Sequence, residues 1–91
     1  MKDGKTFSSS LFLLYFINSE SPLYAFVAPK KSYRSAVKRN KYRRIGYNII
    51  REFPVFKGSA VFIYKKEALT ATKEEIKENI LFLLKKIGSL V

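Results

Sequence analysis

The sequence predicts a single α/β domain in which helices pack on a mixed sheet. Three observations indicate this class. A chain of 91 residues is long enough for one modest core and too short for two. Two segments carry the periodicity of amphipathic helices, and three shorter segments are rich in aromatic and β-branched residues. Their order is strand, strand, helix, strand, helix, and a helix between two strands is typical of a mixed sheet covered by helices.

The first two strands are predicted at residues 11–17 and 23–28. Both segments are rich in aliphatic and aromatic residues. The polar segment NSESP between them contains turn-forming Asn, Ser and Pro. We therefore expect the two strands to pair as an antiparallel hairpin.

The apolar run from Leu11 to Ile17 has a second interpretation as a targeting segment. It is far shorter than the ~20 residues that span a bilayer, so it is not a transmembrane helix. A signal peptide is the remaining alternative, because Lys2 and Lys5 precede the run. Asp3 in the basic flank and the lack of a small-residue cleavage site favour the strand.

A loop containing Pro29 leads to the first helix, which we expect to begin near Ser35 and to end before Pro54. Its apolar stripe is predicted to contain Tyr42, Ile45, Gly46, Ile49 and Phe53. The opposite side is predicted to carry Asn40, Arg44, Tyr47, Asn48 and Arg51. The helix is therefore amphipathic, with a basic outer face.

The remaining strand and helix follow Gly58. The segment SAVFIYK from Ser59 is apolar on both faces, which predicts a central strand with neighbours on both sides. A helix is predicted at residues 73–87, because Thr72 and Glu75 form a capping box and basic residues precede Gly88. Its apolar stripe contains Ile76, Ile80, Leu83, Leu84 and Ile87.

Positive charge is concentrated in one segment. The net charge is +11, and the 22 residues from Lys30 to Arg51 contain nine Lys or Arg and no acid, which gives +9. The other residues contain nine basic and seven acidic residues, which gives only +2. An excess of this kind predicts a polyanionic partner, and nucleic acid in particular.

Two other interpretations of the basic segment are weaker. A solvated face that only maintains solubility does not require so long a stretch without acids. A membrane-surface helix would place its apolar stripe in the lipid, whereas here the core needs that stripe. Nucleic acid also suits Tyr33, Tyr42 and Tyr47, which are candidates for stacking on bases or for local packing.

Catalytic chemistry by the protein itself is not expected. The sequence has no Cys and no His, which excludes Cys/His zinc sites, Cys nucleophiles and His general bases. None of the seven acids forms a pair that the sequence marks as a two-metal cluster. We therefore predict no catalytic residue and no metal ligand in the chain.

The segments AFVAPKK, SYRS and AVKRNKYRR resemble the signature of the protein subunit of bacterial ribonuclease P. In that family a strand ending in Lys-Lys leads through a short loop to a helix that begins Ala-Val-x-Arg-Asn-Arg-x-(Lys/Arg)-Arg. The positions that match are Lys30, Lys31, Ala36, Val37, Arg39, Asn40, Lys41, Arg43 and Arg44. Lys41 stands where the family has its second Arg, which keeps the charge but loses the bidentate fork, and Tyr47 replaces another Arg.

The resemblance covers nearly the whole chain and has implications for the fold. It implies a compact α/β (α+β) sandwich with a left-handed strand-helix-strand crossover, contrary to the usual right-handed rule. The family also has an N-terminal helix before a segment that resembles KDGKTF, and this helix is absent from the sequence. Either the start codon has been assigned too far downstream, or the protein is a reduced member of the family.

The resemblance also implies a function and its partners. The chain would assist a catalytic RNA that removes the 5′ leader from precursor tRNA, and this RNA would hydrolyse the phosphodiester with bound Mg²⁺. The protein would be an enzyme only as a subunit of that endoribonuclease, with no cofactor of its own. It would be cytoplasmic, with no membrane partner and no small-molecule substrate. The alternative is a ribosome-associated or other structural RNA-binding protein.

Charge and resemblance together assign two sets of site residues. The predicted contacts with the RNA subunit are Lys30, Lys31, Arg34, Lys38, Arg39, Asn40, Lys41, Arg43 and Arg44. The resemblance maps a cleft for the 5′ leader to Phe12, Tyr15, Phe26 and Val27. Strand alternation sends Phe12 and Tyr15 to opposite faces, so only one of them can line this cleft.

Overall fold

A computed structural model of the protein describes residues 4–17, 23–53 and 58–88. In chain order, the elements of these residues are β1 (Gly4–Ser8), β2 (Phe12–Ile17), β3 (Leu23–Val27), α1 (Ala36–Ile50), β4 (Ser59–Tyr64), a short 3-10 helix (Lys66–Thr70) and α2 (Lys73–Gly88). The mixed α+β fold is as predicted. The predicted lack of an N-terminal helix concerns positions before Gly4, which lie outside the described residues.

The strands form one mixed sheet in the order β1-β2-β4-β3. Strand β4 is antiparallel to β2, with Leu14 opposite Phe62, and parallel to β3, with Phe26 opposite Phe62. The predicted hairpin of residues 11–17 and 23–28 is therefore wrong, because β4 lies between the two strands. Strand β4 is apolar on both faces, so a central position in the sheet suits it. This central position is as predicted.

Strand β1 is an element that the sequence pattern did not reveal. It pairs antiparallel with β2, so that Lys5 lies opposite Phe16 and Phe7 lies opposite Leu14. Only Phe7 is partly buried, and the other four residues of the strand are exposed. A polar edge strand with one inward apolar residue has no clear two-residue periodicity, and its pairing depends on the neighbouring strand.

Helix α1 begins as predicted and ends slightly earlier. The Ser35 side chain caps it, accepting a hydrogen bond from the Lys38 backbone N–H. The regular helix ends at Ile50, and residues 51–53 form a turn; Pro54 lies outside the described residues. The connection from β3 through α1 to β4 joins two parallel strands, and its left-handedness stays a prediction.

Helix α2 begins at Lys73 and has the cap, both as predicted, and it ends at Gly88, one residue beyond the predicted end. The Glu75 backbone N–H donates to the Thr72 hydroxyl, and the Thr72 backbone N–H donates to the Glu75 carboxylate, each at 3.2 Å. Four of the five predicted stripe residues are fully buried, and Leu84 is partly buried. Among the described helices, none is long and apolar enough to cross a membrane.

Aromatic rings dominate the core between the sheet and the two helices. The rings of Phe26 and Phe62 stack with centroids 4.8 Å apart, and Phe12 packs edge-on against both. Tyr47 was expected on the outer side of α1, but its ring packs edge-on against Phe26 at 5.1 Å. An aromatic residue beside an apolar stripe buries its ring wherever a neighbouring strand is near enough.

Gly46 lets α1 lie close to β3. A Cβ atom at this position would clash with Cδ2 of Phe26, whose ring is already fixed among Phe12, Phe62 and Tyr47. Gly46→Ala is therefore expected to lower the free energy of unfolding by about 1–3 kcal/mol, because the overpacking exceeds the gain of about 1 kcal/mol in helix propensity. Urea unfolding measures this change.

The matched control for Gly46→Ala is Asn40→Ala, which also gains helix propensity but lies on the exposed side of the same helix. This control should be neutral or slightly stabilising. A Gly46→Ala protein as stable as the control would show that the ring of Phe26 can move aside without a loss of stability.

Three buried or half-buried tyrosines connect the elements through their hydroxyls. The Tyr33 hydroxyl donates to the Lys65 carbonyl at 2.8 Å, and the Tyr64 hydroxyl donates to the Tyr42 carbonyl at 2.6 Å. The Tyr42 hydroxyl donates to the Leu69 carbonyl at 3.3 Å. Tyr33 and Tyr42 thus pack locally, which was one of the two roles considered for them.

This cluster predicts a loss of stability in alkaline solution. Burial is the main cause that raises the pKa of Tyr33 and of Tyr64 above the ordinary value of about 10, and the neighbouring tyrosines raise both further. Above pH ~10 the unfolded chain releases protons that the folded chain keeps. The contribution of these two tyrosines to the free energy of unfolding is therefore complete below pH ~10. Above that pH it falls by about 1 kcal/mol per pH unit for each group.

Urea unfolding between pH 9 and 11 measures this loss against a variant. Tyr64→Phe is expected to show a shallower decline of stability with pH than the unmodified protein, because it lacks one of the two groups. Tyr15→Phe, at an exposed position, is the control and should leave the decline unchanged. Equal declines in Tyr64→Phe and the unmodified protein would contradict the prediction.

Candidate nucleic-acid interface

The nine predicted RNA contacts lie on α1 and on the loop before it. We call this set, Lys30, Lys31, Arg34, Lys38, Arg39, Asn40, Lys41, Arg43 and Arg44, the basic surface. Eight of these side chains are exposed, and Arg39 is half-buried. Within the described part of the chain, none of them forms an ion pair, and the ion pair that is present joins Lys77 to Glu52 at 3.3 Å. The charge of the basic surface is therefore available to a polyanion.

The loop of residues 29–35 has a defined shape. The backbone N–H groups of Ser32 and Tyr33 both donate to the Pro29 carbonyl, at 3.1 and 2.8 Å. The Tyr33 ring is fully buried and packs edge-on against Tyr42 at 5.0 Å. Because the ring anchors the loop, Lys30, Lys31 and Arg34 project from a fixed turn beside the first turn of α1.

A groove joins the basic surface to the open edge of β3. Arg39, Arg43 and Tyr47 are spaced four residues apart on α1 and line its helical side, and residues 25–28 line the other side. The Tyr47 hydroxyl accepts a hydrogen bond from the Phe26 backbone N–H at 3.3 Å. This bond blocks one free donor of the edge strand, which limits pairing with another strand at that point.

The sheet face that points away from α1 and α2 is apolar and open in the described structure. Tyr15, Leu23 and Val27 are 45%, 58% and 42% exposed. The other apolar members of this face are partly buried: Leu13, Ile17, Ala25, Val61 and Ile63. We call these eight residues the outer sheet face. A shallow pocket on it is lined by Thr6, Tyr15, Ile17 and Val61, among others.

Only two of the four residues predicted for the leader cleft lie on the outer sheet face. Phe12 and Phe26 are 0% and 2% exposed and belong to the core, so their assignment to an open cleft is wrong. Side chains alternate along a strand, and α1 and α2 cover the face to which these two rings point. Tyr15 and Val27 point to the open face and remain candidates.

The register of the sheet adds residues to this face that the sequence pattern did not identify. Tyr15 lies opposite Thr6 on one side and Val61 on the other, and Val27 lies opposite Ile63. Leu13 and Ile17 follow from Tyr15 by alternation alone. Assigning Thr6, Val61 and Ile63 to this face requires the strand pairing, and the predicted hairpin gave the wrong pairing.

The chemistry available at these surfaces is binding chemistry. In the residues that the structure describes, no three acids lie close enough together to hold a metal ion. Glu74 and Glu75 occupy the first turn of α2, where negative charge stabilises the helix, and Glu52 pairs with Lys77. Cationic side chains and an exposed aromatic ring suit the phosphates and bases of a single-stranded or folded RNA.

Comparison with solved structures identifies the fold. The RNase P protein of Thermotoga maritima is 24% identical and superimposes with a TM-score of 0.78, covering 93% of this chain and 84% of that chain. The RNase P protein of Staphylococcus aureus is 22% identical with a TM-score of 0.79, covering 94% and 83%. A mutant of that protein gives 21% identity and a TM-score of 0.82, covering 96% and 77%.

Comparison of sequences identifies the family. None of the curated proteins compared with the chain matches it. The family model described as Ribonuclease P matches residues 1–88, which is nearly the whole chain. The basic surface and the mixed sheet described above lie within this match. The chain therefore belongs to the ribonuclease P family, as a protein subunit of this endoribonuclease.

Proposed function

We propose that the basic surface binds the RNA subunit of ribonuclease P and that the outer sheet face binds the 5′ leader of precursor tRNA. Family membership implies both RNA partners. What the chain adds is the placement of its own residues: on α1 and its loop lie eight exposed side chains that form no ion pair among residues 4–17, 23–53 and 58–88. Most of their contacts would be to phosphates, because the grooves and ends of a folded RNA expose its backbone.

The groove at the edge of β3 connects the two proposed binding surfaces. Val27 belongs to the outer sheet face and also lines this groove, together with Arg39 and Arg43. A leader strand that stacks on Tyr15 can thus leave the sheet across Val27 and meet cationic side chains. Stacking on an aromatic ring tolerates any base, and this suits leaders of different sequence.

In this proposal the catalytic RNA, with bound Mg²⁺, hydrolyses the phosphodiester. The protein contributes by neutralising phosphates where the two RNAs approach each other, which lowers their repulsion and lowers the Mg²⁺ concentration needed. No side chain of the two surfaces acts as an acid or a base. We expect such a partnership in the cytoplasm, where precursor tRNA is made in bacteria.

The exposed positive charge of the basic surface carries this proposal, and one experiment tests it. The purified protein is added to bacterial ribonuclease P RNA at low Mg²⁺, and cleavage of precursor tRNA is measured. We expect cleavage to be stimulated strongly at low Mg²⁺ and weakly at high Mg²⁺, where the metal ion already screens the phosphates. No stimulation at any Mg²⁺ concentration would overturn the proposal.

The alternative function is binding to a structural RNA, such as ribosomal RNA, without a role in tRNA processing. The same basic surface would serve it, but the outer sheet face would have no single-stranded leader to bind. The two functions are separated by competition: unlabelled ribosomal RNA and ribonuclease P RNA compete for the labelled complex at equal ionic strength. The proposed function requires ribonuclease P RNA to be the stronger competitor.

A further inference from the structure

Arg39 differs from every other member of the basic surface. It is half-buried, whereas the other eight side chains are exposed. Its Nη1 atom donates two hydrogen bonds, to the Tyr33 carbonyl at 2.9 Å and to the Arg34 carbonyl at 3.0 Å. A charged donor makes stronger hydrogen bonds than a neutral one, so these bonds hold the end of the loop firmly against α1.

The hydrogen bonds from Arg39 complete the anchoring of the loop. The start of the loop is closed by the turn that brings Ser32 and Tyr33 onto the Pro29 carbonyl. Its middle is anchored by the buried Tyr33 ring. The two carbonyls that Arg39 binds are those of Tyr33 and Arg34, where the chain changes direction to enter α1 at Ser35. Arg39 therefore adds a bond to Tyr33, which the turn and the ring already hold, and extends the anchoring to Arg34, which neither of them reaches.

We propose that Arg39 is a positioning residue, whose guanidinium fixes the loop of residues 29–35 so that Lys30, Lys31 and Arg34 bind RNA as one preorganised group. This inference rests on the proposed function, because it concerns how the basic surface meets RNA. Preorganisation raises affinity, since otherwise the loop and three long side chains must be ordered during binding. Arg39 therefore acts mainly through the loop, whereas Arg43 acts on RNA directly.

Arg39→Lys separates the two roles because it keeps the charge. A lysine ammonium is a point charge on a flexible stem, so it does not reproduce the planar donor group that reaches both carbonyls. If Arg39 served only as a cation, this variant would retain affinity. If Arg39 positions the loop, the variant would lose affinity although the net charge is the same.

The first measurement uses the free protein and needs no RNA. Limited trypsin digestion with mass spectrometry follows cleavage after Lys30, Lys31 and Arg34. For Arg39→Lys we expect cleavage at these sites to be about tenfold faster, because a hydrogen bond from a charged donor stabilises by about the free energy of a tenfold change. Arg43→Gln is the matched control, one turn further along α1, and should leave cleavage at these sites unchanged. Thermal unfolding confirms that both variants are folded.

The second measurement is the dependence of RNA affinity on salt. Arg39→Lys should bind ribonuclease P RNA about tenfold more weakly, with the slope of log affinity against log salt unchanged, because the number of neutralised phosphates is the same. Arg43→Gln should also bind more weakly, but its slope should decrease by about 0.7–0.9, because one phosphate is no longer neutralised. The salt slope thus distinguishes a positioning residue from a residue that binds phosphate.

A double-mutant cycle completes the test. Lys30→Gln, Lys31→Gln and Arg34→Gln are combined in one protein and measured with and without Arg39→Lys. The loop charges should contribute less when Arg39 is replaced, so the effects should be less than additive. The positioning role would be overturned by additive effects. It would also be overturned if trypsin cleaved the loop of Arg39→Lys as slowly as the loop of the unmodified protein. Trypsin cleavage of the loop is measured without RNA. A failure of the positioning role is therefore distinguishable from a failure of the proposed function, which would show as a lack of stimulated RNA cleavage.

Discussion

Replacing Lys41, Arg43 and Arg44 by glutamine is expected to weaken binding to ribonuclease P RNA by roughly a hundredfold at about 0.1 M salt. All three side chains are exposed and lack an ion pair in the described structure. Each neutralised phosphate contributes about 0.7–0.9 to the slope of log affinity against log salt, so removing three cations should also decrease this slope by about 2.1–2.7. Filter binding or fluorescence anisotropy at several salt concentrations measures both quantities.

The control removes the same charge from a different surface. Lys66, Lys73 and Lys85 are exposed and lie on the 3-10 helix and on α2. Their replacement by glutamine lowers the net charge equally, but it should leave the slope nearly unchanged. If both triple variants lose affinity to the same extent, only overall charge matters, and the basic surface is not the RNA-binding site.

Tyr15→Ala is expected to weaken binding of precursor tRNA to the holoenzyme by about tenfold to a hundredfold and to leave binding of mature tRNA unchanged. Tyr15 is 45% exposed at the centre of the outer sheet face, with Thr6 and Val61 beside it. Stacking of one base on an aromatic ring contributes about 1–3 kcal/mol. Mature tRNA has no leader, so its affinity provides the internal reference.

Two further variants make this test specific. Tyr15→Phe keeps the ring and should bind precursor tRNA almost as well as the unmodified protein. Phe82→Ala removes another exposed aromatic ring, 48% exposed on α2, and should have no effect on either RNA. An equal loss for precursor and mature tRNA in Tyr15→Ala would show that the outer sheet face does not bind the leader.

Local patterns predicted the helices well. The basic helix has its cap at Ser35, and the last helix has its capping box at Thr72 and Glu75. Both signals act over three or four residues, within the same turn whose backbone groups they satisfy. The apolar stripe of α2 was likewise predicted, because a helix places residues three and four apart on one side whatever it packs against.

The arrangement of the strands could not be obtained in the same way. Residues 12–17 and 23–27 are strands, as predicted, but β4 separates them. Strand order depends on which apolar faces meet after the chain has folded, and residues far apart in sequence decide it. The same dependence explains why β1 was missed and why the ring of Tyr47 lies on Phe26.

The sequence by itself determined the class of fold, the two helices, the concentration of positive charge and the segment that resembles the family signature. These features depend on residue type and on spacing within a few turns, where covalent geometry fixes which side chains are neighbours. The tertiary structure alone decided which strand faces are open, so it moved Phe12 and Phe26 into the core and left Tyr15 and Val27 exposed. It also decided that Arg39 holds the loop while its neighbours stay exposed, because a hydrogen bond to a particular carbonyl depends on distances that no residue type encodes.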